Sequence, residues 1–476
     1  MTKENKKLII SYFFPPYTNT GGTVVAKRII EQKEKVDILQ NHIGNTTQDE
    51  NLNNLLNPYI NLRIILDAPY EPNWTWPSIK SFIDKGMEQL NNISKETPYT
   101  HIYSRSMPRQ SHYLAYQYKQ EYPETKWTAE FSDPIIFDIY GKERKASPIN
   151  DPEYIEQVNT TLETRKIQNL SENTSTEYLC ELLAYLFADE IIFTNHNQKN
   201  IMINKFQEIY HGKENIKEII EEKSIIKPQP TLKEEYYNKI NTTYTINNEY
   251  VNLAYFGLFY GTRNFEDVFY ALENIDESLK KYFKLHIFTS EEYFIDRSIQ
   301  GLDTQDNIII NSNKNYLEFL NLTTKFDILL LTDANTKNYY KNNPYLPSKF
   351  SDYQGSQTDI WAICEKNSTL DQTDKIKYKS KLGEYPSSTK TLNKIIKEKL
   401  EEKNYKITGQ TSTPTKKENE TNIIKHLEKR NINLTNTLHE EIKTKQNEIN
   451  KLNQIIEDLQ KQWKHYLCKI SILKIF

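Results

Sequence analysis

Short apolar runs alternate with segments of helical periodicity along most of the chain. Segments such as WPSIKSFIDKGMEQLNNI carry apolar residues at helical spacing, and the first six runs that predict strands are KLIISYFF, KVDILQN, NLRIILD, THIYSRS, KWTAEFS and EIIFTN. The alternation weakens over residues 215–250 and then restarts, from NLAYFGLFY to DIWAIC. Strands separated by helices of this length are typical of parallel βαβ units. The pattern therefore predicts an α/β fold with two doubly wound, Rossmann-like domains that face a cleft.

Changes in composition mark the predicted boundaries of these domains. The N-terminal domain is expected to span residues 1–225 and the C-terminal domain residues 226–404, because the segment KPQP punctuates the polar stretch between the two alternating blocks. Residues 405–421 are polar, contain Gly and Pro, and are interpreted as a linker. Residues 422–476 are expected to form one long helix.

A heptad pattern runs along this predicted helix. Its apolar or tolerated positions are separated by alternating steps of four and three residues: Leu438, Ile442, Lys445, Ile449, Leu452, Ile456, Leu459, Trp463 and Tyr466. Such a narrow apolar stripe with polar flanks is typical of a coiled coil. We therefore expect residues 422–476 to make the protein a homo-oligomer or to dock it on a partner protein. The alternatives are that the helix folds back on the body, or that the final SILKIF contacts a membrane surface.

Charge and cysteine content exclude several classes of protein. The chain has 61 Lys and Arg against 64 Asp and Glu, a net charge of −3, which argues against a nucleic-acid partner. Cys180, Cys364 and Cys468 are odd in number and far apart, so neither a disulfide framework nor a zinc site is expected.

The sequence lacks the pattern of a signal peptide, and no apolar run reaches the roughly 18 residues of a membrane span. A cytoplasmic location, with peripheral membrane contact as an option, is the expectation.

A pair of glycines follows the first predicted strand, in SYFFPPYTNTGGT. The whole chain has only 12 glycines, yet Gly21 and Gly22 are adjacent. Between a strand and a helix, such a pair lets a phosphate approach the helix N-terminus, where backbone N–H groups and the helix dipole favour an anion. The alternative is an ordinary strand-to-helix turn.

Five segments in order resemble the family 4-like glycosyltransferases of the GT-B fold. They are SYFFPPYTNTGGT, TAEFSDP, ADEIIFTN, YFGLFYGTRNFEDV and YLPSKFSDYQGSQTDIWAI, and the resemblance spans roughly residues 8–404. It implies two Rossmann-like domains and a nucleotide-diphosphate sugar as co-substrate. It also implies transfer of the sugar with retention, to a glycan or lipid-linked acceptor of the cell envelope.

The resemblance places the donor between the two domains. Gly21 and Gly22 would allow close backbone approach from one side, and Arg263 would supply positive charge to the leaving diphosphate from the other. Relatives often carry a second cation just after the glycine that ends the strand, but this chain has Leu258 there. Lys349 is the candidate substitute.

The segment LPSKFSDY resembles the element that grips the donor. Ser348 is a plausible N-cap whose helix would offer free N–H groups to a phosphate. Asp352 occupies the position of a glutamate that bonds the ribose hydroxyls in relatives. The companion glutamate of that motif would fall on Pro344 and is absent.

The acceptor side is expected in the N-terminal domain. Relatives often place a histidine after the fourth strand, where this chain has Ser104, Arg105 and Ser106, with His112 in the following helix. Arg105 and His112 are therefore carried as candidate acceptor contacts. Asp133, at the end of the next predicted strand, is a candidate for orienting an acceptor hydroxyl, although Asp before Pro is also an ordinary turn former.

Together these features predict a glycosyltransferase of hexosyltransferase type. Arg263 and Asp133 are the expected catalytic residues, and no metal or other cofactor is expected, since no acidic pair with metal-ligand spacing is visible. A degenerate transferase-like subunit that only binds a partner is the second hypothesis, favoured by the missing cation, glutamate and histidine. A GT-B sugar-nucleotide epimerase is a weaker third, because its acid and base groups cannot be assembled from the sequence.

Overall fold

The computed structural model describes most of the chain. The residues outside the description are 1–5, 45, 70–74, 96, 145–146, 166, 168, 213–214, 260, 264, 406–418, 434, 437–438, 440–441, 444 and 453–476, together with the side chain at 294. The final seam positions Ile456, Leu459, Trp463 and Tyr466, as well as Leu438, Cys468, SILKIF and most of the predicted linker, therefore lie outside the described residues.

The N-terminal domain is built on a parallel seven-stranded sheet. The strands are β1 (Lys7–Ile10), β2 (Val36–Asn41), β3 (Ile60–Leu66), β4 (His101–Arg105), β5 (Lys126–Phe131), β6 (Glu190–Phe193) and β7 (Ser224–Ile226). The helices are α1 (Thr20–Gln32), α2 (Glu50–Leu56), α3 (Trp76–Ser94), α4 (Gln110–Glu121), α5 (Pro152–Glu163), α6 (Thr176–Phe187), α7 (His196–Ile209) and α8 (Ile216–Lys223). The strand order is β3-β2-β1-β4-β5-β6-β7.

The C-terminal domain repeats this plan with a parallel six-stranded sheet. The strands are β8 (Val251–Phe256), β9 (Phe283–Thr289), β10 (Ile308–Ser312), β11 (Ile328–Thr332), β12 (Asp359–Cys364) and β13 (Tyr378–Lys381), in the order β10-β9-β8-β11-β12-β13. The helices are α9 (Glu234–Tyr237), α10 (Glu266–Glu273), α11 (Glu292–Ile299), α12 (Tyr316–Thr323), α13 (Lys349–Ser356), α14 (Thr369–Gln372) and α15 (Tyr385–Glu402).

Both sheets have the doubly wound Rossmann order, so the predicted fold class is confirmed. In each sheet the first three strands are added in one direction, and the fourth is placed on the opposite side of the first. This switch lies between β1 and β4 in one domain and between β8 and β11 in the other. Loops at such a switch point diverge and leave a crevice at the carboxyl ends of the strands. The two crevices share the cavities described below, as expected of GT-B architecture.

One side of the domain interface is a continuous apolar core. Val25 and Ile29 of α1 and Leu52 of α2 belong to the same buried cluster as Phe319 of α12 and Tyr353 of α13. Burial of this kind stabilises by about 25 cal/mol per Å² of apolar surface removed from water. The two domains are therefore packed together along this edge, not merely joined by a connecting segment.

Polar contacts complete the interface. The Asp49 side chain caps α2 through the Leu52 amide and also accepts a bond from the Tyr316 amide, 2.7 Å away, at the start of α12. On the other side of the cleft, the Asn195 and Asn197 side-chain amides at the start of α7 donate to carbonyls of Pro344 and Asn343. Each contact satisfies a backbone group that the loops would otherwise leave unpaired.

The first part of the C-terminal helix folds back on the C-terminal domain. Residues 419–433 are helical, as are the described positions from 435 to 452. Arg430 forms a bidentate pair with Glu266 of α10 at 2.9 Å, and the buried His426 contacts Glu273 at 2.5 Å. The fold-back alternative therefore holds for this part of the helix, which begins within the predicted linker. Farther along, Ile442, Ile449 and Leu452 of the heptad seam are exposed.

The described helices include none that combines the length and the apolar character needed to cross a membrane.

Candidate active site

Two adjoining cavities lie where the switch points of the two sheets face each other. The first has a volume of about 490 Å³ and the second about 410 Å³. Among the described residues, five line both cavities: Asn19, Thr20, Arg263, Pro347 and Ser348. Every one of these follows the carboxyl end of a strand, which is why residues so distant in sequence meet in one place.

The two glycines of the first turn have different surroundings. Gly22 is buried, and a Cβ there would lie 2.8 Å from the Phe13 carbonyl oxygen, so only glycine lets α1 pack against the turn that precedes it. Gly21 lines the first cavity. The Asn19 side chain caps the helix by accepting from the amides of Gly21 and Gly22, at 2.8 and 3.3 Å. These N–H groups already have a partner, so a phosphate would have to displace or supplement Asn19.

Arg263 lies where the two cavities meet and lines both. Its Nε atom is buried without a hydrogen-bond partner among the described residues. A buried unpaired donor is costly, so such a group marks a place where a ligand can supply the missing acceptor. The Arg263 charge also acts on the carboxyls of Asp133 and Asp333 and opposes the rise in pKa that burial imposes on both.

The second cavity is strongly cationic. Lys314 and Lys349 line it with Arg263, and none of the described residues that line it is acidic. Burial lowers the pKa of the Lys349 ammonium, which lies 4.0 Å from the centre of the Phe319 ring. Ser348 precedes α13, and no side-chain bond from it caps that helix among the described residues. The cavity thus offers three cationic side chains and a hydroxyl beside a helix N-terminus, the chemistry that suits a polyanion.

Asp352 is committed to contacts within the protein. Its Oδ1 atom accepts from Lys27 Nζ and from the Tyr316 hydroxyl, both at 2.8 Å, and the residue is buried. Lys27 belongs to α1, so this ion pair crosses the domain interface. Any ribose bonded by Asp352, as predicted, would share the carboxylate with these two donors.

The first cavity carries Arg105 and Asp133 on its N-terminal wall. Arg105 Nε donates to Glu130 Oε1 at 3.2 Å, and Glu130 also accepts from Arg28 and the Tyr103 hydroxyl. Burial alone would raise the pKa of Glu130, but the two arginines hold it below its ordinary value. Glu130 therefore stays ionised and fixes the direction in which Arg105 points. Burial raises the pKa of Asp133.

His112 lies in the core and not in either cavity. Its Nδ1 is 2.8 Å from the Ser104 hydroxyl, and its ring packs against Trp127 and Phe131. Burial, aided by the charge of Arg105, lowers its pKa to about 3. The histidine is therefore neutral at ordinary pH, and the structure gives no support to a direct contact with an acceptor.

Among the described residues, no three His, Cys, Asp or Glu side chains are grouped so that they could hold a metal ion.

Comparison with solved structures returns matches over most of this chain at low sequence identity. The chain is similar to the apo form of the lipopolysaccharide outer core galactosyltransferase WaaB, at 11% identity over 83% of this chain and 90% of that one, with a TM-score of 0.48. It is similar to the UDP-GlcNAc 2-epimerase from Neisseria meningitidis bound to UDP-GlcNAc, at 13% identity over 84% and 95%, with a TM-score of 0.47. A third is WaaG, a glycosyltransferase involved in lipopolysaccharide biosynthesis, at 11% identity over 82% and 90%, with a TM-score of 0.43.

Neither the models of protein families nor the sequences of curated proteins yield a match to this chain.

Three important side chains were not predicted from the sequence. Lys314 lies in the short loop between β10 and α12, and the rule that ligands bind at strand carboxyl ends could have found it. Lys27 and Glu130 lie inside a helix and a strand and act through partners in distant segments. Their only local signal is a charged residue on an otherwise apolar face.

Proposed function

We propose that this protein transfers a glycosyl group from a nucleotide-diphosphate sugar to a glycan or lipid-linked acceptor of the cell envelope, with retention of configuration. The observation that carries the proposal is Arg263, which lies at the junction of a cationic cavity and a mixed polar cavity and whose buried Nε has no partner among the residues that the structure describes. The second cavity takes the nucleotide diphosphate and the first takes the transferred sugar and the acceptor.

Negative charge develops on the diphosphate as the sugar–phosphate bond breaks. In this arrangement Arg263, Lys314 and Lys349 oppose that charge from fixed positions, which lowers the barrier without reorganising solvent. Lys314 and Lys349 stand in for the cation that Leu258 does not provide. The acceptor hydroxyl attacks the sugar from the face on which the phosphate leaves, and the leaving phosphate takes the hydroxyl proton. No carboxylate nucleophile is therefore required.

Binding of the donor is the first test of this proposal. Calorimetry with UDP-, GDP-, ADP- and TDP-sugars should show binding of at least one at millimolar concentration or below. The matched donor should also raise the melting temperature, since a ligand of the folded state stabilises it by mass action. Absence of binding by every member of the panel would overturn the proposal.

A degenerate subunit that binds but performs no chemistry is the second candidate. Two observations favour it. The Asn19 side chain already accepts from an amide of the first turn, and Asp352 is already paired with Lys27. The candidates differ in turnover. A bound donor that is neither hydrolysed nor transferred over long incubation, across acceptor mixtures, would support the degenerate subunit.

Activity is expected to be independent of divalent metal. The three cationic side chains of the second cavity occupy the role that a metal ion would otherwise play beside the diphosphate. Sugar transfer measured after dialysis against EDTA should equal transfer with added Mg²⁺ or Mn²⁺. Loss of activity in EDTA that either metal restores would contradict this.

The exposed part of the C-terminal helix is proposed to pair with a second copy of the chain. Within the heptad, Ile442, Ile449 and Ile456 take the a positions, and Leu452 and Leu459 take d positions, a combination that favours parallel dimers. Lys445, the polar d residue, already lies 3.2 Å from Glu448 of its own helix, which offsets its charge.

Light scattering should therefore show a dimer of the full chain. Changing both Ile442 and Ile449 to Asp should give a monomer, because charges at a positions prevent seam packing. The matched control is Ile432→Asp, an equally exposed isoleucine outside the seam. If the double variant keeps the subunit number of the parent, the seam does not make the dimer.

A further inference from the structure

Two exposed tyrosines from opposite domains meet beside the first cavity. Tyr140 follows β5 in the N-terminal domain and Tyr339 follows β11 in the C-terminal domain. Their ring centroids are 5.2 Å apart and the rings are perpendicular. The two residues remain 43% and 44% exposed, although each is large and largely apolar. The contact therefore leaves much of both rings facing solvent.

The backbone beneath the two rings is fixed. The Asp138 carboxylate accepts from the amides of Tyr140 and Lys142, and the Tyr339 amide donates to the Thr336 carbonyl. Gly141 has φ +67°, which favours glycine, and a Cβ there would lie 3.1 Å from the Tyr339 carbonyl oxygen, so a larger residue would strain this close approach of the two loops. The rings are thus presented in defined positions, which lowers the entropy lost when a ligand binds.

A second link ties the loops together. The hydroxyl of Tyr340, which is buried, donates to the Asp138 carbonyl at 2.5 Å. Tyr340 and Tyr339 are neighbours in sequence, yet one is used for packing and the other faces solvent. Packing between the loops is therefore provided by Tyr340, and the exposure of Tyr140 and Tyr339 is not explained by the need to hold the domains together.

The pair adjoins the first cavity and not the second. Ile139, next to Tyr140, lines the first cavity, as does Thr262. The Tyr140 hydroxyl would be 3.7 Å from a Cβ at Gly261, two residues before Arg263. Neither Ile139 nor Thr262 lines the second, cationic cavity. A molecule that extends out of the first cavity towards solvent at this side meets the tyrosine pair.

We propose that Tyr140 and Tyr339 form a stacking platform for a pyranose ring of an oligosaccharide acceptor. This rests on the proposed function and narrows its acceptor to a saccharide of more than one unit. One face of a pyranose presents C–H groups and packs on an aromatic ring, while its hydroxyls take polar partners. Tyrosine suits both needs, with a flat apolar body and a polar tip that lose little rotamer entropy.

The neighbouring cavity favours a saccharide over a lipid chain. Its lining includes Ser132, Gln229 and Arg105 beside the Asp133 carboxyl, groups that bond hydroxyls. The lining mixes these groups with apolar side chains such as Phe13 and Leu346, a combination that suits the hydroxyls and the C–H faces of a sugar. The ring in the cavity would thus be held by hydrogen bonds, and the next ring by stacking.

The test compares alanine and phenylalanine variants in the full chain. Tyr140→Ala and Tyr339→Ala remove the platform, whereas Tyr140→Phe and Tyr339→Phe keep the aromatic face. Tyr293→Ala, at an exposed tyrosine on α11, is the matched control. Saturation-transfer NMR with a panel of soluble tri- to hexasaccharides measures binding, and calorimetry with the nucleotide-sugar panel measures the donor site. Melting temperatures establish that each variant is folded.

At least one oligosaccharide is expected to bind the parent protein. Each alanine variant should weaken that binding by roughly tenfold, in line with the loss of one aromatic contact. The phenylalanine variants and Tyr293→Ala should bind within about twofold of the parent, and donor affinity should be unchanged throughout.

The outcomes separate this inference from the proposed function. Donor binding without binding of any oligosaccharide, or equal binding by the alanine variants, overturns the platform and leaves the transferase proposal standing. Oligosaccharide binding that depends on the tyrosines, with no nucleotide sugar bound, supports the platform and overturns the transferase. Binding of phospholipid vesicles that is lost in the alanine variants, with no saccharide bound, assigns the surface to lipid and overturns the inference.

Discussion

Changing Arg263 to alanine is expected to reduce kcat/KM for sugar transfer by roughly 10²–10³-fold, the effect of removing one fixed donor from a developing negative charge. Arg263 is the residue shared by both cavities whose buried Nε lacks a partner in the described part of the chain. Its loss removes positive charge where the diphosphate leaves. Steady-state kinetics with the matched donor and acceptor measure the effect.

Two further variants make the Arg263 result specific. Arg297→Ala removes an arginine that stacks on Tyr293 in α11 and lines neither cavity, so its kinetics should match the parent. Arg263→Lys keeps the charge but loses the planar fork, so it should retain part of the activity. Equal, mild effects of both alanine changes would show that Arg263 is not at the reaction centre.

The fold could be predicted from the sequence because its central strands are strongly apolar. The six predicted strands of the first sheet correspond to β1–β6, and helices of amphipathic pattern separate several of them. The strands that pattern reading missed are β7 and β13, with the sequences SII and YKSK. Both are short strands at a sheet edge, where one side has no neighbouring strand and the apolar pattern weakens.

Much of the site could also be predicted, because parallel sheets place their loops at one edge. Gly21, Arg105, Asp133, Arg263 and Ser348 were chosen from five separate segments, and all line the first cavity. What each group does there remains a prediction. The position of a side chain could be inferred from the strand end that it follows. Its protonation state and its hydrogen-bond partners depend on neighbours from other segments.

Contacts between distant segments were beyond the reach of sequence reasoning. The segment GTVVAKRII places Lys27 among apolar residues but does not identify its partner, because Asp352 is 325 residues away. His112 was a candidate acceptor contact, yet Trp127 and Phe131 pack against its ring in the core. The docking of the C-terminal helix likewise depends on Glu266 and Glu273 of α10, which are 164 and 153 residues from their partners Arg430 and His426.

The ion pair between Lys27 and Asp352 gives the largest expected effect on stability. The two side chains are 1% and 6% exposed, and the pair joins α1 of one domain to α13 of the other. Lys27→Met keeps the length of the side chain but leaves the buried carboxylate without its cation. Breaking a buried pair in this way typically costs about 3–5 kcal/mol, which should appear in the free energy of unfolding from urea titration.

A double variant shows whether the cost comes from the unpaired charge or from lost packing. Lys27→Met combined with Asp352→Leu removes both charges and fills the site with apolar groups, so most of the loss should be recovered. Lys80→Met breaks the exposed pair with Asp84 and should change stability by less than about 1 kcal/mol. If Lys27→Met is as mild as Lys80→Met, the pair does not hold the interface.

The number of unfolding transitions is also expected to stay the same. Because the apolar core beside the pair spans both domains, the parent protein should unfold in one transition, and Lys27→Met should lower its midpoint without splitting it into two transitions.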